Sequence, residues 1–373
     1  MHHFMHAKNI SKALENLDKN NSLTVFSCFD ETVPGTPELI CESAKYANVN
    51  CHYFSKPQNI FKHYYSKRKA KCKLSKDSRL LIFATRFTKI KLLRKLQNAF
   101  LIQQLKRFYF NKSYRDSTLI YNNLESMIGI LPELKKMYKK TIYLCLDYSD
   151  LGSEFHANAS TADKILVIPD SMFGKINKFY PNKTIKFPQL SSTYKPSYNK
   201  YEKIRDLLKL IPKPRIIYTG NQEGRVNTKL YRDVAAKLKD YSFISFHNDH
   251  IQREGNIFKI PWLPKQEIFY LLEKSSVGFM PYDISLKHNL HSVPLKLFEY
   301  FQLGLPVVSS ELINITKYKP LLRTGSTTDE FVKALKFSLL EENHEYIKQR
   351  KRIGRDHSTF NRKDVINRIL NGT

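Results

Sequence analysis

Short apolar runs alternate with longer amphipathic stretches along most of this 373-residue chain, and this alternation limits the possible folds more than any other feature of the sequence. The runs at residues 141–147 and 242–247 are rich in β-branched and aromatic side chains, and they predict buried strands. The stretches between such runs repeat apolar residues at helical spacing. Because strands that alternate with helices form parallel sheets covered by helices, we predict an α/β protein.

The predicted elements fall into two series. In the first, strands are expected at residues 22–30, 49–54, 79–84, 117–122, 141–147 and 164–168, and helices near 38–47, 89–108, 124–138 and 170–179. In the second, strands are expected at 215–219, 242–247, 276–280 and 306–309, and helices at 227–238 (capped by Asn227), 265–274, 294–303 and in a tail over 328–370.

A polar stretch with several prolines, at residues 184–214, separates the two series and predicts a crossover. We therefore predict two Rossmann-like domains, residues 1–190 and 214–373, with a linker at 191–213 and a C-terminal helix that packs back. Ligands of open α/β sheets bind beyond the carboxyl ends of the strands. We accordingly expect the two domains to face each other across a cleft that holds the site.

The chain is strongly basic, because 62 Lys and Arg against 34 Asp and Glu give a net charge of +28. Residues 56–115 carry 18 of these bases and a single acid, Asp77. Such a field attracts nucleic acid, a phospholipid surface or a phosphorylated substrate, and a merely solvated surface is the alternative. The helix at 89–108 mixes leucines with bases, as an interfacial helix or one that covers a sheet would. The bases that we expect to face a membrane are Lys67, Arg68, Lys69, Lys71, Arg94 and Lys95.

The five cysteines are scattered and show no Cys-x-x-Cys or Cys/His spacing, which predicts neither a disulfide framework nor a zinc site. No apolar run approaches the roughly 18 residues that would span a bilayer. The N-terminus has no signal-peptide core. We therefore expect a cytoplasmic protein without a bound metal.

The most specific segment is a helix–glycine–strand connection at residues 291–308. Pro294 suits the first turn of a helix, so the backbone N–H groups around it form an anion cradle that the helix dipole reinforces. Lys296 adds a full charge, and Glu299, about one turn later, is placed to accept hydrogen bonds from a diol such as ribose. An ordinary structural connection has the same pattern. The residues of the cradle are Ser292, Val293, Pro294, Leu295 and Lys296, and His291 before them is expected to line the cleft on the acceptor side.

This segment resembles the donor-nucleotide motif of GT-B glycosyltransferases, which has the pattern Pro-x-Lys-x-x-Glu-Tyr-x-x-x-Gly-x-Pro-Val-Val. The pattern is met here by Pro294, Lys296, Glu299, Tyr300, Gly304, Pro306, Val307 and Val308. Further elements of that family are similar to the segments 218–225, 262–264, 277–282 and 357–360. The resemblance in sequence motifs therefore covers about residues 214–370. Over residues 1–213 only the predicted architecture is similar. The compact form that the donor motif has in this sequence is similar to that of the xanthan glucuronosyltransferase branch and of related polysaccharide-assembly enzymes.

The resemblance implies that the second domain binds a nucleotide sugar. Gly220 and Arg225 lie in the loop after the first strand of that domain, where a glycine allows close backbone approach and an arginine can reach a diphosphate. A solvated turn arginine is the alternative. Many retaining members of the family carry an acid eight positions before the ribose-binding Glu, where this sequence has His291, so the stereochemistry stays open.

In the first domain, transfer with inversion requires a general base for the acceptor hydroxyl. Asp147 follows a strongly apolar strand and is the candidate, with Asp30 as its competitor at the end of the first strand. Gly35 and His156 are expected to line the acceptor side. An aspartate at a strand end is often only a loop cap.

The resemblance therefore implies an enzyme, a hexosyl- or uronosyltransferase that uses a UDP-linked nucleotide sugar and an acceptor on a lipid or a surface glycan. We expect it to act peripherally at the inner face of the cell membrane and to need no metal, because Arg, Lys and helix N–H groups stabilise the leaving group. The alternatives are a nucleic-acid-binding protein, for which no RRM, KH or zinc-finger signature is present, and a nucleotide-sugar 2-epimerase of the same architecture.

Overall fold

The structure, a computed structural model, describes ten segments of the chain and divides them into two compact units. The described residues are 22–26, 36–54, 58–59, 81–82, 91–109, 116–122, 129–195, 201–220, 222–247 and 250–371. Unit 1 runs to Phe187 and resumes at Arg362, and unit 2 is Pro188–Asn361. Both units are α/β, as the alternation of the sequence predicts.

Unit 1 is built on a six-stranded sheet in which every neighbouring pair of strands is parallel. Its strand order is β2-β1-β5-β6-β7-β8, and two further short strands, β3 and β4, pair with each other. The strands are β1 (Ser22–Phe26), β2 (Asn50–Phe54), β3 (Gln58–Asn59), β4 (Leu81–Ile82), β5 (Thr118–Tyr121), β6 (Lys140–Cys145), β7 (Lys164–Val167) and β8 (Thr184–Lys186).

Helices follow the strands of unit 1 as parallel connections require. They are α1 (Thr36–Tyr46), α2 (Lys91–Tyr109), α3 (Leu131–Met137), α4 (Ser153–Thr161) and α5 (Asp170–Phe179). A core of buried apolar side chains, including Tyr143 and Phe155, lies between the sheet and helices α2 to α5.

Unit 2 contains a seven-stranded sheet in the order β11-β12-β10-β9-β13-β14-β15, parallel except for β11 at one edge. The strands are β9 (Arg215–Ile217), β10 (Ser242–His247), β11 (Gln252–Glu254), β12 (Ile257–Pro261), β13 (Val277–Met280), β14 (Val307–Ser309) and β15 (Leu322–Thr324). The helices are α6 (Glu202–Lys209), α7 (Thr228–Lys237), α8 (Lys265–Glu273), α9 (Lys287–Leu290), α10 (Leu295–Gln302), α11 (Thr328–Leu339) and α12 (His344–Asp356), with a 3₁₀ helix at Ile313–Tyr318.

The segment expected to be a linker is part of unit 2. Helix α6 buries Ile204 and Leu207 in the core of that unit. The side chain of Arg215 closes the end of α6, because its guanidinium donates to the carbonyls of Leu208 at 2.7 Å, Ile211 at 2.8 Å and Lys274 at 3.1 Å. A buried arginine with three backbone acceptors holds this connection firmly against the sheet.

The predicted helical tail consists of three helices, and the last of them belongs to unit 1. Helix α13 (Lys363–Asn371) packs against α1, and Lys140 at the start of β6 donates to the carbonyl of Ile369 at 2.9 Å. The structure therefore places the end of the chain on the first unit, whereas the predicted boundary assigns residues 214–373 to the second.

The predicted cap of α7 is confirmed, since the backbone N–H of Leu230 donates to Asn227 Oδ1 at 3.0 Å. Most predicted strands are present but shorter. The run at 141–147, for example, pairs only as far as Cys145. Residues 27–30 of the predicted first strand lie outside the described residues.

Candidate functional site

Unit 2 has a topological switch point between β9 and β13, where the chain order along the sheet reverses. Loops that leave the carboxyl ends of two such strands diverge and open a crevice, the usual ligand site of open α/β sheets. Here the two loops are hydrogen-bonded to each other further out: Asn227 N–H donates to Pro281 O at 2.9 Å, and Asp283 N–H to Arg225 O at 2.9 Å. They therefore form one structural unit at this edge of the sheet.

Tyr300 fixes α10 against this edge. Its ring is fully buried, and its hydroxyl oxygen accepts hydrogen bonds from Thr219 N–H at 2.9 Å and from the Thr219 hydroxyl at 3.0 Å. The ring lies against Gly278 of β13, where any Cβ atom would collide with it. Because β13 has a glycine at this point, α10 approaches the sheet closely and its first turn reaches the end of β9.

Lys296, in that first turn, is enclosed by aromatic rings. Its ammonium lies 3.9 Å from the ring centroid of Tyr218 and 5.3 Å from that of Tyr282. It also lies against Gly220, whose φ of +156° is one that side chains rarely adopt. Cation–π contacts of this kind stabilise a charge that has lost its water.

The pKa of Lys296 is lowered from the usual 10.5 to about 7, and burial is the largest cause. The Arg225 and Lys265 cations contribute to this lowering, whereas the carboxylate of Glu299 opposes it. The aromatic rings therefore do not fully replace water around the ammonium. A bound anion would supply the missing counter-charge.

The start of α10 carries the rest of the predicted cradle. Pro294 stands one residue before the helix, at its N-cap position, and no side chain of the described residues caps the helix start. Leu295 is the first helical residue, and Val293 is half-buried in the preceding loop. Ser292 is buried, and its hydroxyl has no hydrogen-bond partner among the described residues. A buried hydroxyl without a partner is costly unless a ligand or a water satisfies it.

Glu299 is almost completely buried one turn into α10, and it has a partner that the sequence did not predict. Lys265, the first residue of α8, places its ammonium 2.9 Å from Glu299 Oε1. A buried carboxylate normally needs such a counter-charge. The pair keeps a hydrogen-bond acceptor at the position where the motif predicts a diol contact.

Arg225 is held by Asn289, a fully buried residue of the short helix α9. The guanidinium donates from Nη1 to Asn289 Oδ1 at 3.3 Å. His291 ends α9, half-buried, and its carbonyl accepts a hydrogen bond from Asn314 Nδ2 at 2.7 Å. The predicted residues Gly220, Arg225, Lys296 and Glu299 thus all belong to the carboxyl edge of one sheet and the helix that follows it.

In unit 1, Asp147 lies half-buried two residues beyond β6, at the carboxyl end of the sheet. The pKa of Cys145 is raised to about 12, mainly by burial and further by the negative charge of Asp147. His156 lies in α4, where its Nδ1 is 2.8 Å from the Tyr180 hydroxyl and its ring meets Phe179 edge-on. The predicted residues Asp30 and Gly35 lie outside the described residues.

Of the predicted membrane-facing bases, the structure describes two on α2. Lys95 is exposed, and Arg94 lies on the same helix, one residue before it. The other four, Lys67, Arg68, Lys69 and Lys71, lie outside the described residues. No helix in the described part of the chain is long and apolar enough to cross a bilayer.

Four residues of this site were not predicted as site residues: Tyr218, Lys265, Tyr282 and Asn289. Tyr282 closely follows the carboxyl end of the predicted strand β13, so the edge rule that identifies Gly220 would also have found it. Lys265 follows β12, a strand that the sequence did not predict. Asn289 carries no such signal, since it lies in a short polar stretch of unremarkable sequence. Within the described segments, no group of three or more His, Cys, Asp or Glu side chains is arranged to hold a metal ion.

No model of a known protein family matches the sequence, and no curated protein matches it. Several solved structures, in contrast, match this chain in fold. A glycosyltransferase from Rickettsia africae is 13% identical with a TM-score of 0.63, over 95% of this chain and 100% of that chain. HepE from Anabaena, solved in complex with UDP and glucose, is 10% identical with a TM-score of 0.66, over 94% and 100%. The sucrose-phosphate synthase from Thermosynechococcus elongatus is 11% identical with a TM-score of 0.64, over 93% and 97%.

At these identities the likeness establishes the fold. Because the neighbours are GT-B glycosyltransferases, the predicted GT-B fold, with two Rossmann-like parallel-sheet domains, is confirmed. The similarity to the xanthan glucuronosyltransferase branch stays a prediction.

Proposed function

We propose that this chain is a glycosyltransferase that moves a hexosyl or uronosyl group from a UDP-linked donor to an acceptor hydroxyl. One observation carries the proposal: the incompletely stabilised cation of Lys296 lies at the uncapped start of α10, beside Gly220. Arg225 adds a second cation, and the buried carboxylate of Glu299 lies one turn along the helix. Two cations next to a diol acceptor match the chemistry of a nucleoside diphosphate.

The donor diphosphate binds to Lys296, Arg225 and the N–H groups at the start of α10, and the ribose hydroxyls donate to Glu299. Ser292 offers its unpartnered hydroxyl to a phosphate oxygen. The choice of UDP is supported by the Anabaena neighbour, whose structure was solved with UDP and glucose. Because this chain has the same GT-B fold, we propose the same class of donor for it.

In the reaction, the bond between the anomeric carbon and the phosphate oxygen breaks, and a bond forms from the acceptor oxygen to that carbon. Negative charge grows on the leaving diphosphate, and Lys296 and Arg225 stabilise it most in the transition state. The products are the glycosylated acceptor and UDP. This proposal requires no metal, because side-chain cations and helix N–H groups carry the charge stabilisation.

The proton of the acceptor hydroxyl goes to a general base, and we assign that role to Asp147 of unit 1. Two features support the assignment: the residue follows the carboxyl end of β6, and it is half-buried, which keeps a carboxylate within reach of a substrate and partly shielded from water. If the transfer retains configuration, Asp147 has no such role.

We further propose that the acceptor is a lipid-linked or surface glycan and that unit 1 meets the membrane through α2. This 19-residue helix has no acid in its first turn, and it exposes 67% of Leu92 and 57% of Leu96, one turn apart and next to Lys95. Two exposed leucines beside a base fit the interface of an anionic leaflet.

Thermal denaturation with added nucleotides tests the donor class. UDP and UDP-sugars should raise the midpoint, since a ligand at 100 times its Kd adds about 2.7 kcal/mol of stability. Transfer of a labelled sugar from the best donor to native membranes separates a transferase from a 2-epimerase, which would release a free sugar or an epimerised donor. Stabilisation by RNA and by no nucleotide would contradict the proposal.

A further inference from the structure

Both polar atoms of the Asn289 side chain form hydrogen bonds next to the candidate donor site. It is fully buried, and its amide nitrogen donates to the carbonyls of Asp283 at 2.9 Å, Arg225 at 3.2 Å and Gly224 at 3.4 Å. Its amide oxygen accepts from Arg225 Nη1 at 3.3 Å. One side chain therefore binds both the backbone and the guanidinium of Arg225.

The backbone of Asn289 is fixed as well. Its N–H donates to Leu286 O at 2.9 Å, and its carbonyl accepts from Ser292 N–H at 2.9 Å. Ser292 begins the cradle that leads into α10. Asn289 therefore connects the loop after β9, the loop after β13 and the approach to α10, three segments that meet around the proposed diphosphate position.

From these contacts we propose that Asn289 is a positioning residue, which holds the Arg225 guanidinium in place for the donor diphosphate. The inference rests on the proposed function. An arginine side chain has many rotamers, and fixing it before the ligand arrives removes the entropy cost of ordering it on binding. The amide suits this role, because it accepts from the guanidinium without neutralising its charge.

A positioning role for Asn289 predicts a different pattern of binding losses from a purely structural role. A residue that acts through Arg225 should affect ligands that carry the diphosphate and leave the bare nucleoside unaffected, since uridine offers Arg225 no anion. It should also have no effect once Arg225 is gone. A residue that only supports the fold would weaken the binding of UDP and of uridine alike.

Unit 2 offers a matched control in Asn256. Its amide nitrogen also donates to three backbone carbonyls, those of Ala235 at 3.0 Å, Leu238 at 2.8 Å and Tyr241 at 2.8 Å. These residues lie at the end of α7 and in the turn before β10. Asn256→Ala therefore removes a comparable set of part-buried hydrogen bonds, and none of the described partners of that side chain is an arginine.

The experiment is calorimetric titration of UDP and of uridine into the full chain and into Asn289→Ala, Arg225→Ala, the double variant and Asn256→Ala, with thermal denaturation of each. We expect Asn289→Ala to weaken UDP binding about tenfold, the equivalent of one charge-assisted hydrogen bond, and uridine binding by less than about twofold. The double variant should match Arg225→Ala. Asn256→Ala should lower the melting temperature and leave the affinities for both ligands unchanged.

Asn289→Ser is the second variant if Asn289→Ala does not fold, because its hydroxyl can donate to one of the backbone carbonyls that the amide nitrogen binds. It lacks the amide oxygen that accepts from Arg225, so UDP binding should fall while uridine binding persists. Equal losses for UDP and uridine, or independent losses in the double variant, would overturn this inference alone. A wild-type chain that binds no UDP would overturn the proposed function and the inference with it.

Discussion

The ammonium of Lys265 lies 2.9 Å from Oε1 of Glu299, and it joins the first residue of α8 to a carboxylate buried inside α10. The glutamate side chain is only 2% exposed, whereas the lysine is 32% exposed. The lysine can therefore keep part of its hydration while it supplies the counter-charge that a buried carboxylate needs. In the proposed donor site, this pair holds the diol acceptor in place.

Lys265→Met should lower both stability and nucleoside affinity. Removing one partner leaves a buried charge uncompensated, and because Lys265 is partly exposed we expect a loss of about 1–3 kcal/mol in the free energy of unfolding. Uridine binding should weaken about tenfold. Lys229→Met is the control, because the Lys229–Asp233 pair lies on the surface and contributes little. Equal behaviour of the two variants in denaturation and calorimetry would show that the buried pair has no special role.

Glu299→Gln tests the diol contact with the least change in shape. The amide keeps an acceptor but loses the charge, so UDP affinity should fall about 10- to 100-fold, the value of a hydrogen bond to a charged group. Wild-type protein should bind 2′-deoxy-UDP more weakly than UDP, and the variant should distinguish the two poorly. If the variant still prefers UDP as strongly as wild type does, the ribose contact lies elsewhere.

Lys296 should make UDP binding depend on pH. In the free protein its pKa is about 7, so at pH 8.5 most molecules carry the neutral amine. A bound diphosphate favours the charged form and raises this pKa, so binding takes up a proton above pH 7 and the affinity falls as the pH rises, by at most about tenfold per pH unit.

Calorimetry between pH 7 and 9, in buffers of different ionisation enthalpy, measures this proton uptake. Lys296→Arg keeps its charge throughout the range and should show no uptake. Were the wild type and this variant to give the same buffer-independent enthalpy, Lys296 would already be charged before the ligand arrives.

Asp147→Asn should separate the chemical step from donor binding. If Asp147 is the general base, kcat for sugar transfer to membranes should fall about 10²–10⁴-fold. UDP affinity should stay at the wild-type value, because the donor residues belong to unit 2. A variant with full activity would exclude Asp147 and direct attention to Asp30 or His156.

The leucines of α2 should contribute to binding of anionic vesicles. Leu92→Ser with Leu96→Ser should weaken cosedimentation with phosphatidylglycerol vesicles by at least about tenfold, because each buried leucine contributes about 1.5–3 kcal/mol. Leu340, which is 78% exposed at the end of α11, gives the control variant Leu340→Ser. If the double variant and the control bind the vesicles equally well, α2 does not contact the membrane and is only solvated surface.

Periodicity predicted many of the buried strands, but not all of them. Strand β10 is found over the predicted residues, because five of its six residues are buried. Strands β3, β8, β11, β12 and β15 were not predicted: four of them are only two or three residues long, and in β12 Lys259 interrupts the apolar run. Helix α6 lies in the polar, proline-containing stretch 184–214, and Ile204, Leu207 and Leu208 form its buried face.

In the candidate site, the sequence predicted residues that are close together along the chain and missed contacts between residues that are far apart along it. The helix-start motif identifies Lys296 and Glu299, because their spacing on one helix is local in sequence. Lys265 and Asn289 were found only in three dimensions, since Lys265 lies 34 positions before Glu299 and Asn289 lies 64 positions after Arg225. Contacts over such separations depend on strand order, which a single sequence does not reveal.

The central claim is that the edge of β9 and β13, with α10, binds the diphosphate of a UDP-linked donor. Calorimetric titration of UDP into the wild type, Arg225→Ala and Lys296→Met tests it most directly. We predict one UDP per chain for the wild type and affinity losses of about 10- to 100-fold in each variant, with uridine binding little changed. UDP binding of wild-type strength in both variants, or no UDP binding by the wild type, would contradict the claim.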